Sequence, residues 1–425
     1  MKKATSFIAL LFLLTSFQAF CQTDTAQLVI KGRINSKAQQ KKPYVIMISI
    51  DGMRYDYADK YQAKHLLALR KSGVQAQSMK PAFPSITFPN HYTMVTGLLP
   101  AHNGLVSNRF YDRNFKQFYS YKGKTAAEGK WYGGTPLWVL AEQQHMLTAS
   151  FYWVGSEADV KGVYPTYRYP YNEKIGIHQR INTVVKWLKM PAERRPHLIT
   201  FYFPEVDHAG HEYGPETAET KRQVLFIDSA INELNKAVKT TKLPISFVVV
   251  SDHGMATIDN QNVLQIPASV DTTKFTISGE DILVELYAKN PKDASAIKGT
   301  YETIKKQKTS DYNVYLRSNT PAYWHYGLKD DRYNRIGDIL LEPIYPKVFK
   351  IGKGKTKPGA HGFDPIKVKQ MQATFYAWGP AFKTHLTIPT FKNLDIYPMV
   401  SQVLGLKYSE KLDGSKNLAK RILKK

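Results

Sequence analysis

The sequence predicts an α/β sandwich built on a mostly parallel central sheet. Three observations carry that expectation. Apolar runs of six or seven residues, short enough for strands, recur at 44–50, 198–203, 245–250 and 373–378. Amphipathic stretches with helical spacing lie between them at about 176–190, 216–239 and 393–404. Strands alternating with helices imply parallel pairing covered by helices on both faces.

Each element has its own reason. Tyr44-Val45-Ile46-Met47-Ile48-Ser49-Ile50 is nearly all apolar, which suits a strand buried on both faces. Residues 56–72 follow with a helical pattern that ends at Gly73. The stretch from about 260 to 350 differs, with short strand-like pieces, many lysines and more turns. It is expected to be a small inserted subdomain on the same core. The expected division is therefore a leader at 1–21, a weakly ordered polar lead-in at 22–42, and a catalytic domain at 43–415. A basic tail at 416–425, a frayed amphipathic helix, completes it.

Composition narrows the function. With 43% hydrophobic residues the 425-residue chain has material for a large core, which excludes a disordered protein. One cysteine excludes a disulfide scaffold and any multi-cysteine zinc site. The formal charge of +24 favours anionic substrates or surfaces, but no nucleic-acid-binding module is present, so no sequence-specific binding of nucleic acid is expected. Lys2 and Lys3, the apolar run 7–14 and Ala19-Phe20-Cys21 read as a secretory signal. The protein is thus expected to be exported, periplasmic or secreted. Lipid anchoring through Cys21 is the lesser alternative, because Phe20 is bulky where such signals need a small residue. No other apolar run is long enough for a transmembrane anchor.

The chemistry follows the strands. Asp51 comes directly after the first run, Asp207 four residues after the second, and Asp252-His253 two residues after the third. Ligands in open α/β sheets bind at the carboxyl ends of strands. Three carboxylates converging there would repel one another, and a multivalent cation is the simplest neutraliser. Asp207-His208-Ala209-Gly210-His211 adds imidazoles, with the glycine allowing a tight path, and either His208 or His211 fits as a ligand by spacing. His361 lies in a glycine loop, Gly359-Ala360-His361-Gly362. Histidine nitrogen with aspartate oxygen suits zinc, and paired metals roughly 4 Å apart are suited to displacement at phosphorus. Thr87 stands two residues before Pro89, at the expected start of a helix, where negative oxygen is favoured. A metal-bound hydroxyl there can ionise near neutral pH; the plainer role for Thr87 or Ser85 is a helix cap.

These residues carry a resemblance. Ile50-Asp51-Gly52-Met53-Arg54, Thr87-Phe88-Pro89-Asn90-His91, Thr96-Gly97-Leu98, His102-Asn103-Gly104 and Asn108 resemble the nucleotide pyrophosphatase/phosphodiesterase family. So do the block from Asp207 to Pro215, Ser251-Asp252-His253-Gly254-Met255 and Gly359-Ala360-His361-Gly362. The resemblance runs from about 44 to 415 and implies the three-layer sandwich of the alkaline phosphatase superfamily, with two zinc ions. It implies that Asp51, Thr87, Asp252 and His253 hold one zinc, with Thr87 as nucleophile. Asp207, His211 and His361 would hold the other, and Asn108 would donate to a phosphate oxygen. Phe88 and Tyr171 match positions that sandwich a nucleotide base. The implied reaction releases a nucleoside monophosphate from a small-molecule diester or pyrophosphate through a threonyl–nucleotide intermediate. Gly155-Ser156-Glu157 lacks the Lys-x-Arg pair of threonine-dependent monoesterases, which favours diesters, although Lys161 and Arg168 lie nearby. Alternatives on the same site are a choline-phospholipid phosphodiesterase and a phosphomonoesterase. A catalytically idle anion binder is the reading from another class.

Overall fold

In a computed structural model of the protein, residues 26–307 and 310–424 are described. The expected leader lies outside them. Among the described residues, no helix is long and apolar enough to cross a membrane.

The main sheet is a nine-stranded α/β sheet centred on the Tyr44–Ile50 strand. That strand pairs in parallel with Leu198–Phe203 on one side and Ile245–Val250 on the other. All seven of its side chains are buried, as expected for a central strand. Alternation sorts them into two cores. Tyr44, Ile46, Ile48 and Ile50 join the cluster under the Lys64–Ser72, Ile177–Leu188 and Ala218–Lys239 helices. Val45 and Met47 join the cluster under the Thr87–Thr96, Leu137–Gln143 and Ile396–Leu404 helices. Helices thus cover both faces, making three layers.

The fourth expected strand forms as Phe375–Trp378, but it runs antiparallel to Ile245–Val250. The sheet is therefore mixed with a parallel centre. The helical pattern at 56–72 is broken into Tyr57–Lys60 and Lys64–Ser72, with Gln62 in a left-handed conformation between them.

Within 260–350 lies a separate four-stranded antiparallel sheet, in the order Phe275–Glu280, Leu283–Ala288, Ile339–Pro343, Tyr312–Leu316. One face packs on the Ala294–Gln307 helix through Val284, Leu286, Ile339, Leu341 and Ile304. Leu283 and Leu340, on the other face, join the main core. As far as they are described, the lead-in and the C-terminal segment differ from the expectation of looseness. Asn35 is buried, donating to Ala192 O and Arg195 O and accepting from Leu147 N–H, while Leu28–Val29 pairs with the sheet edge. The Asn417–Ile422 helix buries Leu418, Ala419 and Ile422, so it is docked rather than frayed.

Candidate metal centre and active site

Parallel register brings the carboxylates together. Ile50 stands opposite Phe203, and Val250 opposite Ser49, so the residues that follow all emerge at one edge of the sheet. Asp51 continues its ladder by donating its N–H to Phe203 O at 2.9 Å. Gly52 turns away at a φ of +68°, where a Cβ would lie 2.9 Å from the Asp207 Cα. Only glycine lets the two segments approach this closely.

The stretch bearing Asp207 and His211 is a helix, Glu205–Tyr213, and not the glycine-permitted turn expected from the sequence. The four-residue spacing therefore places both side chains on one face, one turn apart. Gly210 and Gly359 serve packing instead, since a Cβ on Gly359 would sit 2.0 Å from Gly210 O. That approach lets Gly359–Ala360 pair with Ala256–Thr257 and delivers His361 to the centre.

The donors form two sets, Asp207, His211 and His361 in one, Asp51, Asp252 and His253 in the other. In the first, Asp207 Oδ1 lies 3.5 Å from His211 Nε2 and 3.6 Å from His361 Nε2. In the second, His253 Nε2 lies 3.5 Å from Asp51 Oδ1 and 2.9 Å from Asp252 Oδ2. The rings of His253 and His361 stack at 3.5 Å, which joins the sets into one centre.

Tautomers are set by the far nitrogens. His211 Nδ1 donates to Gly359 O at 2.8 Å, His253 Nδ1 to Gly254 O at 2.8 Å, and His361 Nδ1 to Ser85 O at 3.1 Å. Each Nε2 lone pair is thereby turned to the carboxylates. Asp51 Oδ1 and Asp207 Oδ1 are buried and accept no hydrogen bond, and the buried Asp252 Oδ2 meets only the ring nitrogens of His253 at 2.9 Å and His91 at 3.2 Å. These carboxylate oxygens, two of them orphaned, face imidazole nitrogens and fit divalent cations with nitrogen and oxygen ligands.

The electrostatics agree. Burial, reinforced by Asp252 and Asp207, holds the Asp51 carboxyl well above its usual range. Burial also holds His361 well below its usual value, with His253 and His211 adding to the effect, which leaves its nitrogen available as a ligand. Asp252 goes the other way, because the imidazoles of His253 and His91 outweigh its burial.

Thr87 is the first residue of the Thr87–Thr96 helix, and its hydroxyl lies 3.2 Å from His253 Nε2. The capping role is not used, since the N-cap position is Ile86 and no side chain caps the helix. Asn108 Oδ1 accepts the Phe88 N–H at 2.9 Å, which turns the amide NH2 toward the cavity it lines. That cavity, of about 1080 Å³, also has Thr87, Phe88 and Tyr171 in its wall. Tyr171 is 43% exposed, its ring set edge-on to Tyr152 and Tyr202. His208 lines the cavity beside Glu173, outside both donor sets, whereas His211 lies within one of them. Lys161 donates to Thr135 and Arg168 lies over the Tyr164 ring; neither lines the cavity.

Two residues escaped the sequence reading. The Tyr202 hydroxyl donates to Asp51 Oδ2 at 2.5 Å from within a strand that read as plain core. His91 lies one helical turn from Thr87 and 3.2 Å from Asp252 Oδ2. Its four-residue spacing from Thr87 was the available signal.

Comparison with known proteins places this geometry in context. The chain is 30% identical over 407 residues to venom phosphodiesterase 2 of Crotalus adamanteus, covering 92% of this chain and 50% of that protein. It is 29% identical over 389 residues to human ectonucleotide pyrophosphatase/phosphodiesterase family member 1, covering 86% of this chain and 40% of the relative. The chain thus spans about half the length of the curated relatives it matches, or less. Among solved structures, murine ectonucleotide pyrophosphatase/phosphodiesterase 5, an inactive threonine-to-alanine variant in complex with AMP, superposes with a TM-score of 0.82 at 25% identity. That match covers 90% of this chain and 100% of the murine one. Residues 45–364 match the profile of type I phosphodiesterase / nucleotide pyrophosphatase, and the chain belongs to that family.

Proposed function

We propose that this chain is an exported, two-zinc phosphodiesterase that hydrolyses nucleotide phosphodiester or pyrophosphate bonds and releases a nucleoside monophosphate. The observation that carries the reading is the convergence of six donor side chains, two of them with orphaned carboxylate oxygens, in one centre that His253 joins to the Thr87 hydroxyl. Asp51, Asp252, His253 and Thr87 would hold one ion, and Asp207, His211 and His361 the other. When bound, the ions would supply Lewis-acid charge and lower the pKa of the hydroxyl.

The remaining work belongs to the chain. The Thr87 hydroxyl gives up its proton as its oxygen bonds to phosphorus, and the bond to the leaving oxygen breaks, that oxygen taking up a proton from solvent. Asn108 offers its NH2 to a phosphoryl oxygen as charge develops there. Phe88 and Tyr171 orient the base in the cavity wall. Water then breaks the threonine–phosphorus bond, freeing the monophosphate and restoring the hydroxyl. The murine relative in complex with AMP, inactive as a threonine-to-alanine variant, supports both the nucleotide and the threonine. The absence of a cationic pair where monoesterases have one supports a diester.

The test is a substrate panel on purified, zinc-loaded protein. A nitrophenyl nucleotide should be cleaved far faster than nitrophenyl phosphate or a choline ester, with nucleoside monophosphate as product. Faster turnover of the choline ester would move the reading to lipid diesters; no turnover of any diester would leave an anion binder.

A further inference from the structure

We infer that His91 is a positioning residue that locks the nucleophile's helix to the metal-facing carboxylate of Asp252. This deepens the phosphodiesterase reading and rests on it for its kinetic consequence.

His91 is fully buried, and both ring nitrogens are engaged. Nδ1 faces two acceptors, Thr87 O at 3.0 Å and Asp252 Oδ2 at 3.2 Å. Neither oxygen can donate while Asp252 is ionised, so Nδ1 carries the proton. Nε2 lies 2.7 Å from Ser49 Oγ, its hydrogen-bond partner. Both ring nitrogens are thereby engaged, with Nδ1 as the donor toward the two oxygens.

The connections are unusual for a core histidine. Ser49 is two residues before Asp51 on the central strand, Thr87 opens the helix, and Asp252 follows the neighbouring strand. One imidazole therefore joins the three segments that bring Asp51, Thr87 and Asp252 together. Asp252 Oδ2 is also the oxygen nearest His253 Nε2, at 2.9 Å. The ring itself is fixed edge-on between Trp153 and Tyr202, each at 5.3 Å. A ring serving only to fill space would not need these partners.

Two substitutions separate positioning from filling. In His91→Asn the amide nitrogen falls near the place of Nδ1, so the donor to Asp252 and Thr87 O is kept. In His91→Gln it falls near Nε2, so Ser49 keeps a partner while Asp252 Oδ2 and Thr87 O lose theirs. The Gln variant is expected to lose kcat by about 10- to 100-fold on a nitrophenyl nucleotide, the range for outer partners of metal ligands, with KM little changed. It should also release one of two zinc equivalents at a lower chelator concentration than the wild type. The Asn variant should stay close to wild type in both readouts.

Equal losses in the two variants, or wild-type kcat and zinc retention in Gln, would overturn the assignment. So would failure of both variants to fold by circular dichroism, since the ring would then serve stability alone. If only Gln fails to fold, wild-type zinc retention by Asn still supports the donor's role, and zinc loss by Asn refutes it. Wild-type inactivity on every diester would sink the enzymatic reading and leave the chelator titration as an independent measure of the link to Asp252.

Discussion

The Thr87 hydroxyl lies 3.2 Å from Nε2 of His253, although 166 residues separate them in the chain. Neither side chain is positioned by its sequence neighbours alone. Thr87 is placed by the start of a helix, and His253 by the loop that follows the Ile245–Val250 strand, where Gly254 O holds its ring.

Thr87→Ala should retain fold and metal but lose kcat by roughly three orders of magnitude or more, as removal of a covalent nucleophile does. Thermal melting and zinc content check the first part, and steady-state kinetics the second. Turnover near the wild-type rate would refute Thr87 as nucleophile.

Chelation should abolish activity, and added zinc should restore it. It should also lower the melting temperature by roughly 5–10 °C, because binding to the native state alone stabilises it. The chain without its ions retains unpaired Asp51 and Asp207 oxygens in a buried setting. A melting temperature indifferent to both chelator and zinc would argue that the two donor sets hold no ion.

Tyr202→Phe removes the donor to Asp51 Oδ2 while leaving the ring in place. Activity is expected to fall by about 10-fold or more, with zinc affinity falling in step. Unchanged kinetics in this variant would show that the hydroxyl does not orient Asp51.

Phe88→Ala and Tyr171→Ala should each weaken binding of a nucleotide ester by about 1–3 kcal/mol, the usual worth of stacking on a base. Hydrolysis of a methyl nitrophenyl phosphate, which has no base, should be affected far less. Comparing kcat/KM for the two esters gives the answer, and equal losses on both would remove the sandwich.

Glu280 sets a pH dependence of stability. Burial pushes its carboxyl up to about 7, with Arg109 opposing and Asp281 adding, and its Oε1 accepts no hydrogen bond. A folded pKa above the ordinary 4.5 means that stability is fully present below 4.5 and is lost as pH rises through 7. The loss should be on the order of 2 kcal/mol. Glu280→Gln should flatten this part of the curve, read from denaturant melts at pH 5 and pH 8. Parallel curves for variant and wild type would exclude Glu280 as the cause.

Much of this protein was legible in the chain because it depends on local pattern. Continuous apolar runs give buried strands wherever they fold, so the strands at 44–50, 198–203 and 245–250 were readable to the residue. Asp51, Asp207 and Asp252 could be assigned to one edge because parallel strands share a carboxyl end, and Thr87 to a helix start because Pro89 suits the first turn. What tertiary structure alone decided was direction and partnership. His211 turns inward and His208 outward because the stretch is a helix docked on Gly359, a contact 148 residues away. Phe375–Trp378 runs antiparallel because the chain returns to the sheet from the opposite end, which no residue within the strand encodes. Tyr202 and His91 became visible only once Asp51 and Asp252 stood beside them. A hydroxyl in an apolar strand carries no local sign of its carboxylate, and the four-residue spacing of His91 from Thr87 pointed to the helix start but not to Asp252. Those partners are brought within hydrogen-bonding reach by the packing of the whole sheet.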